Sequence, residues 1–304
     1  MSGRGSPRSG GSRPAASQGG KHRRALAWVL ALVLAFVGVE VVAGLLTQSL
    51  TLLADAGHMA TDALGVGMAL AAVTAARRAA RNPKQTFGHY RWEVLAALAN
   101  AALLLGVAAY VAMEGIGRLR DPVEVDAWPV LVVAIAGLAV NVASFRLLHA
   151  GAKESLNVRG AYLEVMADAV GSVGVIVSAI VILTTGWPYT DAVVALALAA
   201  FIVPRAISLG REAVRMLVQA APTSLDVEAL TQQLGALPSV TDVHDVHVWT
   251  LTSGMDVASV HLVSEQSQTA DVVRAAQEVL RGHGLAHATV QVEDDSGERC
   301  GSDW

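Results

Sequence analysis

Two four-residue spacings, His58 to Asp62 and Glu164 to Asp168, each lie inside an otherwise apolar stretch long enough to cross a bilayer. On a helix, positions i and i+4 share a face about 6 Å apart along the axis, so each pair presents two donor atoms in one direction. Zinc without thiolates takes four nitrogen or oxygen donors in a tetrahedron, and two such faces on neighbouring helices supply that number without help from loops. Asp55, three residues before His58, falls on much the same face, where it would orient His58 or guide ions toward it. The competing reading is structural, with ion pairs or helix–helix hydrogen bonds, Arg159 being the nearest base for Glu164 and Asp168. Ionisable groups within a span are costly and rarely left idle, which favours a metal site in the middle of a transport pathway.

A second concentration of donors lies near the C-terminus: His244, His247, His261, His283 and His287. His244 and His261 fall on adjacent predicted strands, and His287 precedes a strand ending at Glu293, so these four are expected to converge at one edge of a sheet. Alternation puts His244 and His247 on opposite faces unless the strand bulges. His247, close to Trp249, reads as a packing residue. The other reading of the set is a group of solvated strand histidines.

The elements that must position these groups follow from composition. Hydrophobic residues make up 53% of the 304-residue chain and charged residues 16%, with a mean hydropathy of +0.48, too apolar for an ordinary soluble domain. A net charge of -4 gives no case for a nucleic-acid partner. Cys300 is the only cysteine, so metal chemistry rests on His and carboxylates. Residues 1–24, rich in Gly, Ser, Pro and Arg, read as a disordered basic tail. Six apolar stretches follow within 25–210, roughly Ala25 to Leu46, Leu50 to Ala75, Trp92 to Ile116, Trp128 to Leu148, Leu156 to Thr184 and Thr190 to Leu209. The connections after the second and fourth are basic, with Arg77, Arg78, Arg81, Lys84 and Arg91, then Arg146, Lys153 and Arg159; Arg23 and Arg24 before the first span and Arg205, Arg211 and Arg215 after the last place both termini in the cytoplasm. Residues 211–221 read as a linker, 222–294 as a soluble domain and 295–304 as a tail. Within the domain the order helix, strand, strand, helix, strand suits a small open-faced sheet with helices on one face. Glu40, Gln48, Asn100 and Asn141, in or at the ends of spans, read as helix-bridging groups, and Glu40 as structural or gating.

Three runs in order, Ser49-Leu50-Thr51-Leu52-Leu53-Ala54-Asp55-Ala56-Gly57-His58-Met59-Ala60-Thr61-Asp62, Thr86 through Leu98, and Asn157 through Asp168 and Ser172, resemble those of the cation diffusion facilitators, a likeness that extends from about Arg24 to Glu293. The resemblance implies a homodimer of six-span subunits that exchanges metal for protons by alternating access, with a cytoplasmic ferredoxin-like domain that binds further metal. It also implies His244, His261 and Glu293, with His287, as cytoplasmic ligands. Zinc-selective members commonly carry His where Glu164 stands, and Glu there looks like the cobalt-zinc-cadmium resistance exporter branch. A site of one imidazole and three carboxylates is harder and more anionic, so zinc is expected as main substrate with cobalt and cadmium also accepted. His89 could join a loop metal site of the kind some members have, but Asn82 and Gln85 stand where acidic and His companions belong, and it reads as a polar loop residue.

Protons and metal compete for the same lone pairs, so binding a dication expels protons and protonation weakens binding. The expectation is an α-helical membrane protein acting as a metal/proton antiporter in the plasma membrane, with lipid, protons, the metal ion and a second copy as partners. An intramembrane hydrolase is disfavoured: no His-Glu-x-x-His pair occurs, and four ligands leave no position for a catalytic water. The chain is therefore not expected to be an enzyme. A membrane metal sensor that moves nothing would leave the intramembrane pairs surplus.

Overall fold

The computed structural model describes residues 19–76, 87, 90–152, 156–264 and 269–294. Six long helices come first: α1 (Gly19–Thr47), α2 (Leu50–Ala76), α3 (Tyr90–Arg118), α4 (Ala127–Ala152), α5 (Leu156–Thr185) and α6 (Thr190–Leu217). They are followed by α7 (Val227–Gly235), β1 (Val240–Thr252), β2 (Met255–Ser264), α8 (Thr269–Gly282) and β3 (His287–Glu293). Among the described residues five helices, α1, α3, α4, α5 and α6, carry segments long and apolar enough to cross a membrane. Large apolar side chains such as Leu46, Trp28 and Met113 point outward from these helices, as a lipid-facing surface requires. The protein is a multi-pass membrane protein.

Two boundaries differ from the sequence expectation. Helix α1 begins at Gly19, so residues 19–24, expected in the tail, are helical, and α6 runs through Leu217 into the expected linker. In both places the apolar pattern stops but the residues, Lys21, Arg23 and Arg24 at one end and Arg211, Glu212, Ala213 and Met216 at the other, are good helix formers. Residues 1–18, the tail 295–304 with Cys300, and His89 lie outside the described residues.

The chain divides into two compact units, Met1–Gly67 with Leu103–Arg205 and Met68–Ala102 with Ala206–Trp304. In the first unit α2 is the shared wall of three packing clusters. Met59 and Ala63 join Val29, Val33 and Phe36 of α1; Leu50 and Ala54 join Ala108, Val111, Ala195 and Ala199; Leu52 joins Val130, Ala134, Val175 and Ala179. Alanines interleave with the larger side chains in each cluster, which lets helix axes approach closely. A Cβ on Gly57 would stand 2.6 Å from Val107 Cγ1, so only glycine fits there between α2 and α3.

The start of α2 is held by a residue far away in sequence. Gln48, at φ 58, reverses the chain after α1. The Asp191 carboxylate, from α6, then accepts hydrogen bonds from Ser49 Oγ at 2.7 Å, the Leu50 amide at 2.7 Å and the Thr51 amide at 3.3 Å. These are the amides that a helix N-terminus leaves without partners. Arg118 of α3 lies 3.7 Å from the same carboxylate and 3.0 Å from Glu114, so the end of α2 is tied to α3 and α6.

In the second unit the strands form one sheet in the order β1-β2-β3, with β1 and β2 antiparallel and β2 and β3 parallel. Helix α7 packs on β1, α8 on β3, and the two helices touch, so both cover one face. Leu230 and Leu234 of α7 and Val272, Ala276 and Leu280 of α8, spaced by four, meet Val248, Ala258, Val260 and Leu262 in the core. Asp226 caps α7 by accepting from the amides of Glu228 and Ala229, both at 3.0 Å. Strand alternation leaves His244, His261 and Glu293 on the face away from the helices.

Candidate metal centres

The helix period of α2 puts His58 and Asp62 on one face, and α5 brings Asp168 to meet them. His58 Nε2 lies 3.6 Å from Asp62 Oδ2 and 3.6 Å from Asp168 Oδ1. The donor atoms of all three lie within 4.8 Å of one another, and all three residues are buried. Zinc bonds of 2.0–2.2 Å in a tetrahedron set ligand–ligand edges of about 3.3–3.6 Å, and the two distances from His58 match that spacing. Neither ring nitrogen of His58 has a hydrogen-bond partner, so neither is committed elsewhere. Glu164, the fourth expected donor, lies on α5 four residues before Asp168; its side chain is outside the described residues.

Two features of this centre depart from the sequence reading. Asp55 does not orient His58: it turns to α5, where it accepts a hydrogen bond from Ser172 and where a Cβ on Gly171 would stand 2.7 Å from its Oδ1. Arg205, which in the sequence counts as one of the basic residues after the last span, instead reaches back, with Nη1 3.6 Å from Asp62 Oδ2. Its neighbour Pro204 lies within α6 and removes one helix hydrogen bond there. An arginine next to a proline within an apolar run is the signal that marks it.

The second cluster is built by register. His244 of β1 stands opposite His261 of β2, and β3 runs parallel alongside so that Glu293 arrives at the same end of the sheet. His261 Nδ1 is 3.1 Å from Glu293 Oε1, His244 Nε2 is 3.4 Å from Glu293 Oε2, and the rings are 5.5 Å apart. Asp245, at φ 49, sits in a bulge between His244 and His247 and brings its Oδ2 to 3.7 Å from His261 Nδ1. Strand patterning alone cannot show such a bulge.

His287 is not part of this cluster, contrary to expectation. It pairs with Val257 at the far end of β3, whereas Glu293 pairs with Val263. Six residues of strand at roughly 3.3 Å each separate the two by about 20 Å. Its ring instead meets Phe87 edge-on at 6.5 Å. His247 is exposed rather than packed, because the bulge returns it to the outer face beside His244. His283 is 2.9 Å from Gln233 Oε1 and links α8 to α7.

Known proteins are similar to this chain in sequence. Residues 26–218 match the family description "Cation efflux transmembrane domain", and residues 222–295 match "Cation efflux protein, cytoplasmic domain". The "Metal cation efflux system protein CzcD" of Cupriavidus metallidurans is 40% identical over 277 residues, 90% of this chain and 87% of the relative. The "Zinc transporter ZitB" of Escherichia coli is 36% identical over 274 residues, covering 89% and 87% of the two chains. The "Cadmium, cobalt and zinc/H(+)-K(+) antiporter" of Bacillus subtilis is 32% identical over 283 residues, 91% of each. A chain matched nearly end to end in this way, with its carboxylates and imidazoles gathered at coordination spacing, belongs to the cation efflux family.

Proposed function

We propose that this protein exports divalent metal from the cytoplasm in exchange for protons, with zinc as main substrate and cobalt and cadmium also carried. The observation that carries the reading is the buried triad of His58, Asp62 and Asp168, with His58 Nε2 3.6 Å from each carboxylate and all donor atoms within 4.8 Å of one another. Relatives named for zinc, cobalt and cadmium transport, one of them for proton antiport, support the same substrates. In this reading Glu164 completes the ligand set, and its carboxylate in place of an imidazole broadens selectivity toward harder ions.

The chemistry of exchange follows from the donor set. Imidazole and carboxylate bind metal only when deprotonated, so cytoplasmic metal displaces protons and protons arriving from the outer side displace metal. Arg205 supplies a tethered positive charge beside Asp62 when no metal is bound, limiting the cost of a buried anionic centre. Rocking of the helices around α2 would carry the centre from inward-facing to outward-facing. The organisation proposed with it is six spans within 25–210, a linker at 211–221, a ferredoxin-like cytoplasmic domain at 222–294, both termini in the cytoplasm, a plasma-membrane location and a homodimer. His244, His261 and Glu293 would hold a cytoplasmic metal ion that reports its concentration.

Reconstituted vesicles test this. Zinc flux driven by an imposed pH gradient, lost in Asp62→Ala, is the expected result. Metal binding without flux would replace the exporter with a membrane sensor built on the sheet cluster, and flux retained in Asp62→Ala would remove the central site.

A further inference from the structure

The buried polar groups that the His58 centre leaves unused gather one turn away from it, toward the α1–α2 connection. Glu40 of α1 is 1% exposed, and neither of its carboxylate oxygens has a hydrogen-bond partner. Asp55 of α2 is 2% exposed; it accepts one hydrogen bond from Ser172 and keeps Oδ2 without a partner. Ser172 in turn accepts from Asn141 Nδ2 of α4 at 3.2 Å, which leaves the Asn141 Oδ1 buried and unpartnered, as is the Ser144 hydroxyl one turn along.

Glycines make the room for these oxygens. A Cβ on Gly171 would stand 2.7 Å from Asp55 Oδ1, and one on Gly137, a turn before Asn141, would stand 3.4 Å from Glu40 Oε1. Helices α1, α2, α4 and α5 thus each bring oxygen to one neighbourhood, where the donors outnumber the N–H and O–H groups available to satisfy them. Two carboxyl groups buried together in this way are neutralised either by protons or by a bound cation, and the unpartnered oxygens around them offer a cation its ligands. The donor set differs in kind from the His58 centre: carboxylate, amide carbonyl and hydroxyl, without imidazole or thiolate. Oxygen-only sets suit hard cations, whereas zinc favours a site that includes nitrogen.

We propose that Glu40, Asp55, Asn141 and Ser172 form a second intramembrane site, separate from the cargo centre, that takes a hard, oxygen-seeking cation. Asp55 and His58 are three residues apart on α2, so a cation at this site would repel cargo at the His58 centre and occupancy of one would weaken the other. Binding is measurable without transport, so failure of this site and failure of the exporter reading are distinguishable.

The test uses full-length protein with Asp62→Ala and His261→Ala, which disable both imidazole centres, titrated with Mn2+ by electron paramagnetic resonance and with radioactive rubidium. One bound ion per protomer is expected, held at least about tenfold more weakly after Glu40→Gln or Asp55→Asn. Gly171→Ala, which crowds Asp55 Oδ1 while keeping every donor, should weaken it as well. Mn2+ retained in excess K+ assigns the site to divalent ions, and displacement by K+ assigns it to alkali ions; either supports the proposal. Absence of both ions, or binding unchanged by Glu40→Gln, Asp55→Asn and Gly171→Ala in protein that elutes and melts normally, overturns it.

Discussion

The membrane centre and the sheet centre use the same donor types at nearly the same spacing, yet in opposite surroundings. In the membrane, the His58, Asp62 and Asp168 side chains are 6%, 9% and 4% exposed, and a guanidinium stands beside them. On the sheet, the His244, His261 and Glu293 side chains are 21%, 20% and 10% exposed, with acidic Asp242 and Asp245 alongside. A buried anionic centre is costly whenever it is empty, which suits a site that trades one cation for another. The sheet centre is less deeply buried, although His244, His261 and Glu293 also keep donor atoms without hydrogen-bond partners; standing empty costs it less, which suits an ion that comes and goes with cytoplasmic concentration.

The contrast can be broken first at the membrane centre. Asp62→Ala should reduce zinc flux to that of protein-free vesicles while the sheet centre still binds zinc, read by calorimetry on the same preparation. Loss of both would show that the two centres are not separate. Glu164→His should next shift the zinc-to-cobalt transport ratio toward zinc by about tenfold, the scale of one altered metal contact; unchanged ratios would remove Glu164 from selectivity. At the sheet, His261→Ala should weaken cytoplasmic metal binding by about 10–100-fold and leave vesicle flux at saturating zinc largely intact.

Acidification has a defined sign at both centres. Their donors bind metal only when deprotonated, so zinc binding at each must weaken as the pH falls, without reversal. Tighter binding in acid at either centre would mean that other groups hold the ion. Smaller still is the helix cap: Asp191→Ala should cost about 1–2 kcal/mol, seen as a lower thermal midpoint, with the ligands themselves untouched. His287→Ala should leave sheet binding unchanged, because its ring stands at the far end of β3.

What the sequence could show followed from short-range periods. His58, Asp62 and Asp168 were legible because a period of 3.6 fixes which residues of one helix share a face, and the apolar setting marks them as costly. The order of adjacent strands likewise suggested that His244, His261 and Glu293 converge, as the register brings them. It could not give position along the strand, which depends on β2–β3 register, and so His287 was placed at the wrong end. Asp245 was hidden for a related reason, since a bulge breaks the alternation that makes a strand readable. Asp191 and Ser49 are 142 residues apart, and no local pattern connects a helix start to the carboxylate that caps it. Arg205 was legible as a charge but was assigned to the membrane boundary; only its distance to Asp62 gives it a role. Asp55 was put on the right helix face but given the wrong neighbour, because Gly171 opens space on α5 that spacing within α2 cannot reveal.

The most direct test of the central claim is a zinc-loaded crystal structure with anomalous scattering recorded at the zinc edge. The account predicts a peak between α2 and α5 about 2.0–2.2 Å from His58 Nε2 and from carboxylate oxygens of Asp62, Glu164 and Asp168. A bundle with zinc only on the cytoplasmic sheet, or with its peak bound by other residues, would contradict it.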